Sequence, residues 1–190
     1  MGLLGKPLAN RLLGKRTLIV GDVGSGKTRY TAKILKSLLL SREEVTVIDM
    51  GPEKRGVGLS LTRYVDIPSW VRYLRPKSLR APRLEGRDAN EVLRLAKYNS
   101  EVIRPFLLRY LEEPTPILVI NDLSIYLQAG PIEDILDCIR ASSTFLGNAY
   151  YGSSLAEDKG SEISDRERVL VEELMREMDY VVFLVRYLEG

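Results

Sequence analysis

Histidine is absent from this chain, and cysteine occurs once, at Cys138. The first absence removes imidazole as a general base, the Ser-His-Asp triad and every His-ligated metal site. The second removes an intramolecular disulfide and any cysteine cluster, and it suits a reducing, cytoplasmic setting. A metal needed for function is therefore a hard cation held by oxygen. No apolar run reaches the roughly 18 residues that a membrane helix needs, so no segment is expected to span a bilayer. The N-terminal stretch Met1–Arg16 is mildly apolar and basic. It lacks the long apolar core and the cleavage site of a signal peptide, and is expected to cap the sheet or add a helix.

What is present is one domain's worth of chain, expected to fold as a single unit over 1–190. With 190 residues and 45% hydrophobic composition it can bury a full core. The net charge of +2 hides a cluster at 72–87, where Arg72, Arg75, Lys77, Arg80, Arg83 and Arg87 face one acid, Glu85. Trp70 and Tyr73 lie beside it. Cations interleaved with aromatics can grip a nucleic-acid backbone and stack on bases, although a solvated loop in an arginine-rich protein reads the same way.

Residues 21–28 read Gly21-Asp22-Val23-Gly24-Ser25-Gly26-Lys27-Thr28, a complete G-x-x-x-x-G-K-[ST] string. Its flanks give it a mechanism. Thr17–Val20 before it is a short β-rich apolar run, and Arg29 to Leu40 after it carries Ile34, Leu35, Leu38 and Leu39 at helical spacing. The glycines let successive N–H groups turn into one concavity, and the positive end of the helix faces the same point. Lys27 supplies a mobile cation for β and γ phosphates, and Thr28 a hydroxyl for Mg²⁺.

Further along, continuous apolar runs alternate with helical patterns. Strands are expected at 16–20, 45–49, 63–67 (short), 116–122, 144–149 and 180–185. Asp88-Ala-Asn-Glu91 reads as a capping box opening a helix to Glu113, which Pro105 should kink or split. Pro131 opens another helix, and Ser164-Asp-Arg-Glu167 reads as a second capping box for a helix to Met178. The pattern predicts an α/β fold of three layers, α/β/α, on a mainly parallel five-stranded sheet with both faces covered. Ligands then belong beyond the carboxyl ends of the strands, where the glycine loop, Asp49 and Asp122 all fall. The polar loop 152–161 has the composition of a mobile, partner-contacting segment.

Ile117-Leu-Val-Ile-Asn-Asp122 is an apolar strand tipped by an acid. Together with the glycine loop it resembles the Walker B strand of a P-loop NTPase, and the likeness extends over essentially the whole chain. The order of elements resembles the RecA-like, additional-strand division, and no Asn-Lys-x-Asp string for guanine is present. The resemblance implies ATP or ADP and Mg²⁺ as ligands, with Thr28 and Asp122 on the metal and Lys27 on the phosphates. It also implies a homo-oligomer. One departure stands out: Leu123 and Ser124 follow Asp122, where many relatives place a water-polarising glutamate. Asp49, at the end of the second strand, is the substitute that the resemblance offers, and Asn148 takes the position of a γ-phosphate sensor. Arg55, Arg140, Arg166 and Arg168 are the candidates for an arginine finger. The leading reading is a Mg²⁺-dependent ATPase coupled to a partner. The alternatives are a small-molecule or nucleotide kinase, with Arg166 and Arg168 in a lid, and a non-hydrolysing regulatory module.

Overall fold

A computed structural model describes residues 10–54, 56–155 and 157–185. Most of the N-terminal stretch and the finger candidate Arg55 lie outside those residues. Six strands form one sheet: β1 (Arg16–Gly21), β2 (Val45–Asp49), β3 (Arg72–Leu74), β4 (Ile117–Asn121), β5 (Thr144–Tyr150) and β6 (Tyr180–Leu184). Their order is β3-β2-β4-β5-β1-β6, and every pairing is parallel. The sheet is flanked by helices α1 (Lys27–Leu38), α2 (Pro82–Glu85), α3 (Ala89–Glu112), α4 (Ser124–Leu127), α5 (Ile132–Ala141) and α6 (Ile163–Arg176), and residues 10–12 are helical as well.

The strands read as unbroken apolar runs because both sheet faces are covered. Leu18, Val20, Ile48, Leu118 and Ile120 pack with Ile103 and Leu107 of α3, Ile135 and Ile139 of α5, and Val171 and Leu174 of α6. Their neighbours in the same strands, Ile19, Val45, Val47, Ile117 and Val119, face the other way onto Ala32, Ile34, Leu35 and Leu38 of α1. Leu12 and Leu13 join that second layer. This is the three-layer α/β/α architecture. β5 lies between the glycine-loop strand β1 and the Asp122 strand β4.

Four expectations need correction. The sheet has six strands, not five, because Arg72–Leu74 pairs with Thr46–Ile48 at one edge. No strand forms at 63–67; Leu61–Arg63 is a 3-10 turn capped by Ser60. Pro105 does not split α3, which runs unbroken from Ala89 to Glu112. The proline sits on the exposed face, where water can take the carbonyl it leaves unpaired. The second capping box does not form. α6 begins after Glu162, which has φ 62°, and Glu167 is buried. Its place at the helix start is taken by Asp158, whose carboxylate accepts the Ser164 N–H at 3.0 Å.

The first capping box does form. The Asp88 carboxylate accepts the Glu91 N–H at 2.9 Å, and the Glu91 carboxylate accepts the Arg87 N–H at 2.9 Å. No helix among the described residues is long and apolar enough to cross a membrane.

Candidate functional site

The glycine loop leaves β1 and enters α1 directly. Gly24 and Gly26 have φ of 73° and 87°, a conformation that side chains on L-residues resist. Gly26 is the N-cap of α1 and offers no side chain, so the first-turn N–H groups, which have no partner within a helix, are left for a ligand. Lys27 Nζ donates to the Asp22 carbonyl at 2.7 Å, which folds the ammonium over the loop. Burial pushes its pKa down, opposed by the charges of Asp122, Asp22 and Glu167.

Asp22 has a different task. Its carboxylate accepts the N–H of Ser153 and of Ser154, each at 3.2 Å, and the Ser154 hydroxyl at 2.8 Å. Burial alone would raise this carboxyl, but the bonds from Ser154, Val23 and Ser153 hold it below the ordinary range. The loop after β5 is thereby tied to the P-loop. Its far end is tied as well, because Lys159 Nζ donates to the Gly86 carbonyl.

A cavity of about 200 Å³ opens at the carboxyl ends of the strands. Gly24, Gly26, Lys27 and Thr28 form one wall, and Asp122, Ser124 and Gln128 another. Asn148, Tyr150 and Arg83 contribute to the rest. Asp122 has φ 61°, an uncommon conformation held by Asn148 at two points. The Asn148 side-chain oxygen accepts the Asp122 N–H at 3.0 Å, and its main-chain carbonyl accepts the Leu123 N–H at 2.9 Å. Burial pushes the Asp122 carboxyl up to about 7, with Lys27 pulling the other way.

Among the described residues no donor engages the Asp122 carboxylate or the Thr28 hydroxyl, and both groups line the same cavity. An oxygen pair of this kind fits a hard divalent cation. No group of three or more acidic or cysteine side chains among the described residues could hold a metal by itself. The cation's remaining ligands are then water and phosphate.

The other expected residues are placed as follows. Asn148 lines the cavity, but its amide donors go to Thr31 Oγ1 at 2.9 Å and Asn121 Oδ1 at 2.8 Å. Asp49 does not line the cavity. Its carboxylate is buried and accepts Ser60 Oγ at 2.8 Å, Leu61 N at 2.9 Å, Tyr73 OH at 2.7 Å and Asn121 Nδ2 at 2.7 Å. Burial first, and Asp49 next to it, push the Tyr73 hydroxyl up to about 12. Arg140 pairs with Asp137 on the surface. Arg166 donates to the carbonyls of Leu127 and Gly130, and Arg168 stacks 4.5 Å from the Tyr151 ring centroid.

The basic segment is not a free cationic face. Arg72 pairs with Glu113, Arg75 with Glu53, Arg80 with Glu85 and Arg87 with Glu91. Arg83 is buried against Glu167. With all of its arginines paired internally and, among the described residues, the exposed Lys77 alone without an ion pair, the segment does not support the nucleic-acid reading.

Three residues around the cavity escaped the sequence reading: Arg83, Gln128 and Glu167. Arg83 was hidden among the other arginines of 72–87. Glu167 mimicked the last residue of a capping box. Gln128 is the chain's only glutamine, and scarcity by itself is no signal.

No protein-family profile matches the chain, and no curated protein matches it. Among solved structures, the flagellar accessory protein FlaH from Methanocaldococcus jannaschii is similar at 13% identity and a TM-score of 0.49, over 86% of this chain and 75% of that one. An ATPase from the type III secretion system of pathogenic bacteria is similar at 13% identity and a TM-score of 0.48, over 97% of this chain and 56% of that one. Likenesses of this size carry no inference about activity.

Proposed function

We propose that this protein is a Mg²⁺-dependent ATPase of the P-loop class. The observation that carries the reading is the convergence of Lys27, Thr28 and a donor-free Asp122 carboxylate on one cavity, reached through an uncapped helix N-terminus. Thr28 and Asp122 would hold Mg²⁺, Asp122 directly or through water. The ion, when bound, neutralises charge on the β and γ phosphates. The loop amides and the first turn of α1 bind phosphate oxygens, and Lys27 turns from the Asp22 carbonyl toward them. Asp122 must give up a proton to act, which the pull of Lys27 favours.

Asp49 serves in this reading as a structural clamp for the loop that follows β2, since five donors already occupy its carboxylate. Asn148 acts as the positioning residue for Asp122.

The test is phosphate release from ATP with Mg²⁺, comparing wild type with Lys27→Ala, alongside binding of a fluorescent ATP analogue. Turnover in wild type that vanishes in the variant supports the reading. ATP binding without turnover in wild type favours the regulatory module, and ADP release only with a phosphate acceptor favours the kinase. A wild type that does not bind ATP overturns all three.

A further inference from the structure

The cavity that Asp122 lines carries two further polar groups the P-loop chemistry has not used. Arg83 and Gln128 both line the cavity, and they are 9% and 3% exposed. They share one anchor. Glu167 Oε2 accepts Arg83 Nη1 at 3.2 Å and Gln128 Nε2 at 2.9 Å. Arg83 Nε donates to Ser164 Oγ at 3.1 Å, and its guanidinium lies 5.7 Å from the Tyr150 ring centroid. Lys27 Nζ lies 5.9 Å from the same ring.

Each of the two residues keeps one buried polar atom without a partner: Arg83 Nη2, a donor, and Gln128 Oε1, an acceptor. Buried polar groups are nearly always satisfied, so two unsatisfied ones on a single carboxylate, in residues that line a phosphate cavity, need an explanation. Glu167 also fixes which end of the amide is free, because an ionised carboxylate can accept only from the nitrogen. Burial raises the Glu167 carboxyl, and the Arg83 guanidinium paired with it at 3.2 Å pulls it back toward the ionised form.

We propose that Arg83 and Gln128 complete the hydrolytic site from within the same chain, Arg83 as a donor to the γ-phosphate and Gln128 as the acceptor that orients the attacking water. This deepens the ATPase reading and rests on it. It also supplies what the missing glutamate after Asp122 leaves open. The water oxygen bonds to the γ-phosphorus as the bond from that phosphorus to the β–γ bridging oxygen breaks. ADP leaves with the bond's electron pair, and the water proton departs with inorganic phosphate. Gln128 accepts a hydrogen bond from the water and takes no proton. Arg83 stabilises charge on the γ-phosphate oxygens as the bond breaks. Glu167 acts only as the positioning residue for both.

The experiment uses three variants. Gln128→Met removes the acceptor at similar volume. Arg83→Lys keeps a charge beside Glu167 but loses the fork. Arg83→Met with Glu167→Gln removes the buried charge pair as a unit, so no unpaired charge is left to unfold the protein, and it leaves Gln128 an oxygen to bond. Thermal melts report folding, and a fluorescent ATP analogue reports ground-state binding. Phosphate release reports kcat, and ADP with aluminium fluoride reports binding of a transition-state mimic.

The expected result is kcat lower by about 100-fold or more in each variant, ATP affinity within about threefold of wild type, and loss of the aluminium fluoride complex. Turnover and mimic binding kept within about threefold of wild type would overturn the proposal while leaving the ATPase reading intact. Loss of ATP affinity in proportion to kcat would also overturn it, because the two residues would then be ground-state binding groups. A wild type that binds ATP but neither turns over nor takes up the mimic refutes the ATPase reading and this inference with it.

Discussion

Replacing Asp49 by asparagine separates a clamp from a base. Asp49 Oδ2 accepts Ser60 Oγ, Leu61 N and Tyr73 OH, and Oδ1 accepts Asn121 Nδ2 at 2.7 Å and, more weakly, Gly51 N at 3.4 Å. The amide of Asp49→Asn must put its NH₂ against one set or the other. The less costly choice faces Asn121. That residue cannot turn its own amide to compensate. Its nitrogen also donates to the Leu59 carbonyl at 2.9 Å, and its oxygen accepts Asn148 Nδ2 at 2.8 Å. The close Asn121 donor is left opposed, the long Gly51 N–H bond is lost as well, and the bonds that remain lose their charge assistance. At about 1–3 kcal/mol for an unsatisfied buried group, with weaker bonds in addition, the loss is about 3 kcal/mol.

For a chain of this size each kcal/mol moves the melting temperature by about 2–4 °C, so the midpoint falls by about 6–12 °C. Phosphate release measured well below both midpoints should change by no more than about threefold, because the carboxylate does not reach the cavity. An unchanged midpoint with turnover abolished would refute the reasoning and make Asp49 the base.

The remaining predictions concern pH and assembly. The Asp122 carboxyl stands at about 7 in the folded protein against an ordinary 3.8, raised by burial despite Lys27. The folded state therefore keeps a proton that the unfolded chain has lost, and nucleotide-free stability should fall as pH rises from about 4 to about 7. Asp122→Asn should flatten that slope in melts taken across the range. Glu53 shows the opposite sign. Bonds from Arg63 and then Arg75 hold it at about 2, so its contribution is present above about 4.5 and is lost as pH falls toward 2. Glu53→Gln should therefore weaken the acid limb of the stability curve. If Arg83 acts within its own chain, mixing Lys27→Ala with Arg83→Lys protein should restore no phosphate release. Recovery on mixing would place the arginine across a subunit boundary.

The legible parts of this molecule are those that a short stretch of chain decides alone. The P-loop needs only glycines at fixed spacing between a strand and a helix, and Asp122 needs only an apolar run before it. Asp88 and Glu91 meet within one turn, so their capping box was readable too. What escaped depends on partners far off in sequence. Arg72–Leu74 has little strand character of its own and becomes β3 by pairing with Thr46–Ile48. Glu167 has the right spacing to Ser164 for a capping box. Its actual partners are Gln128, 39 residues away, and Arg83, 84 residues away.

The departure after Asp122 follows from the same long-range packing. Leu123 is fully buried in the core, and the Ser124 hydroxyl accepts the Tyr150 N–H at 2.7 Å. A glutamate at 123 would bury its charge among Ile120, Phe145 and their neighbours, far costlier than the leucine. The chain instead turns through α4 and brings Gln128, at its C-cap, back to the cavity wall. A glutamine in that place is useful only if something fixes its amide, and the side chain that does so is the glutamate that imitated a helix cap. In the proposed reading the site is split between a local motif for phosphate and a tertiary cluster that acts on it. Only the first was written in consecutive residues.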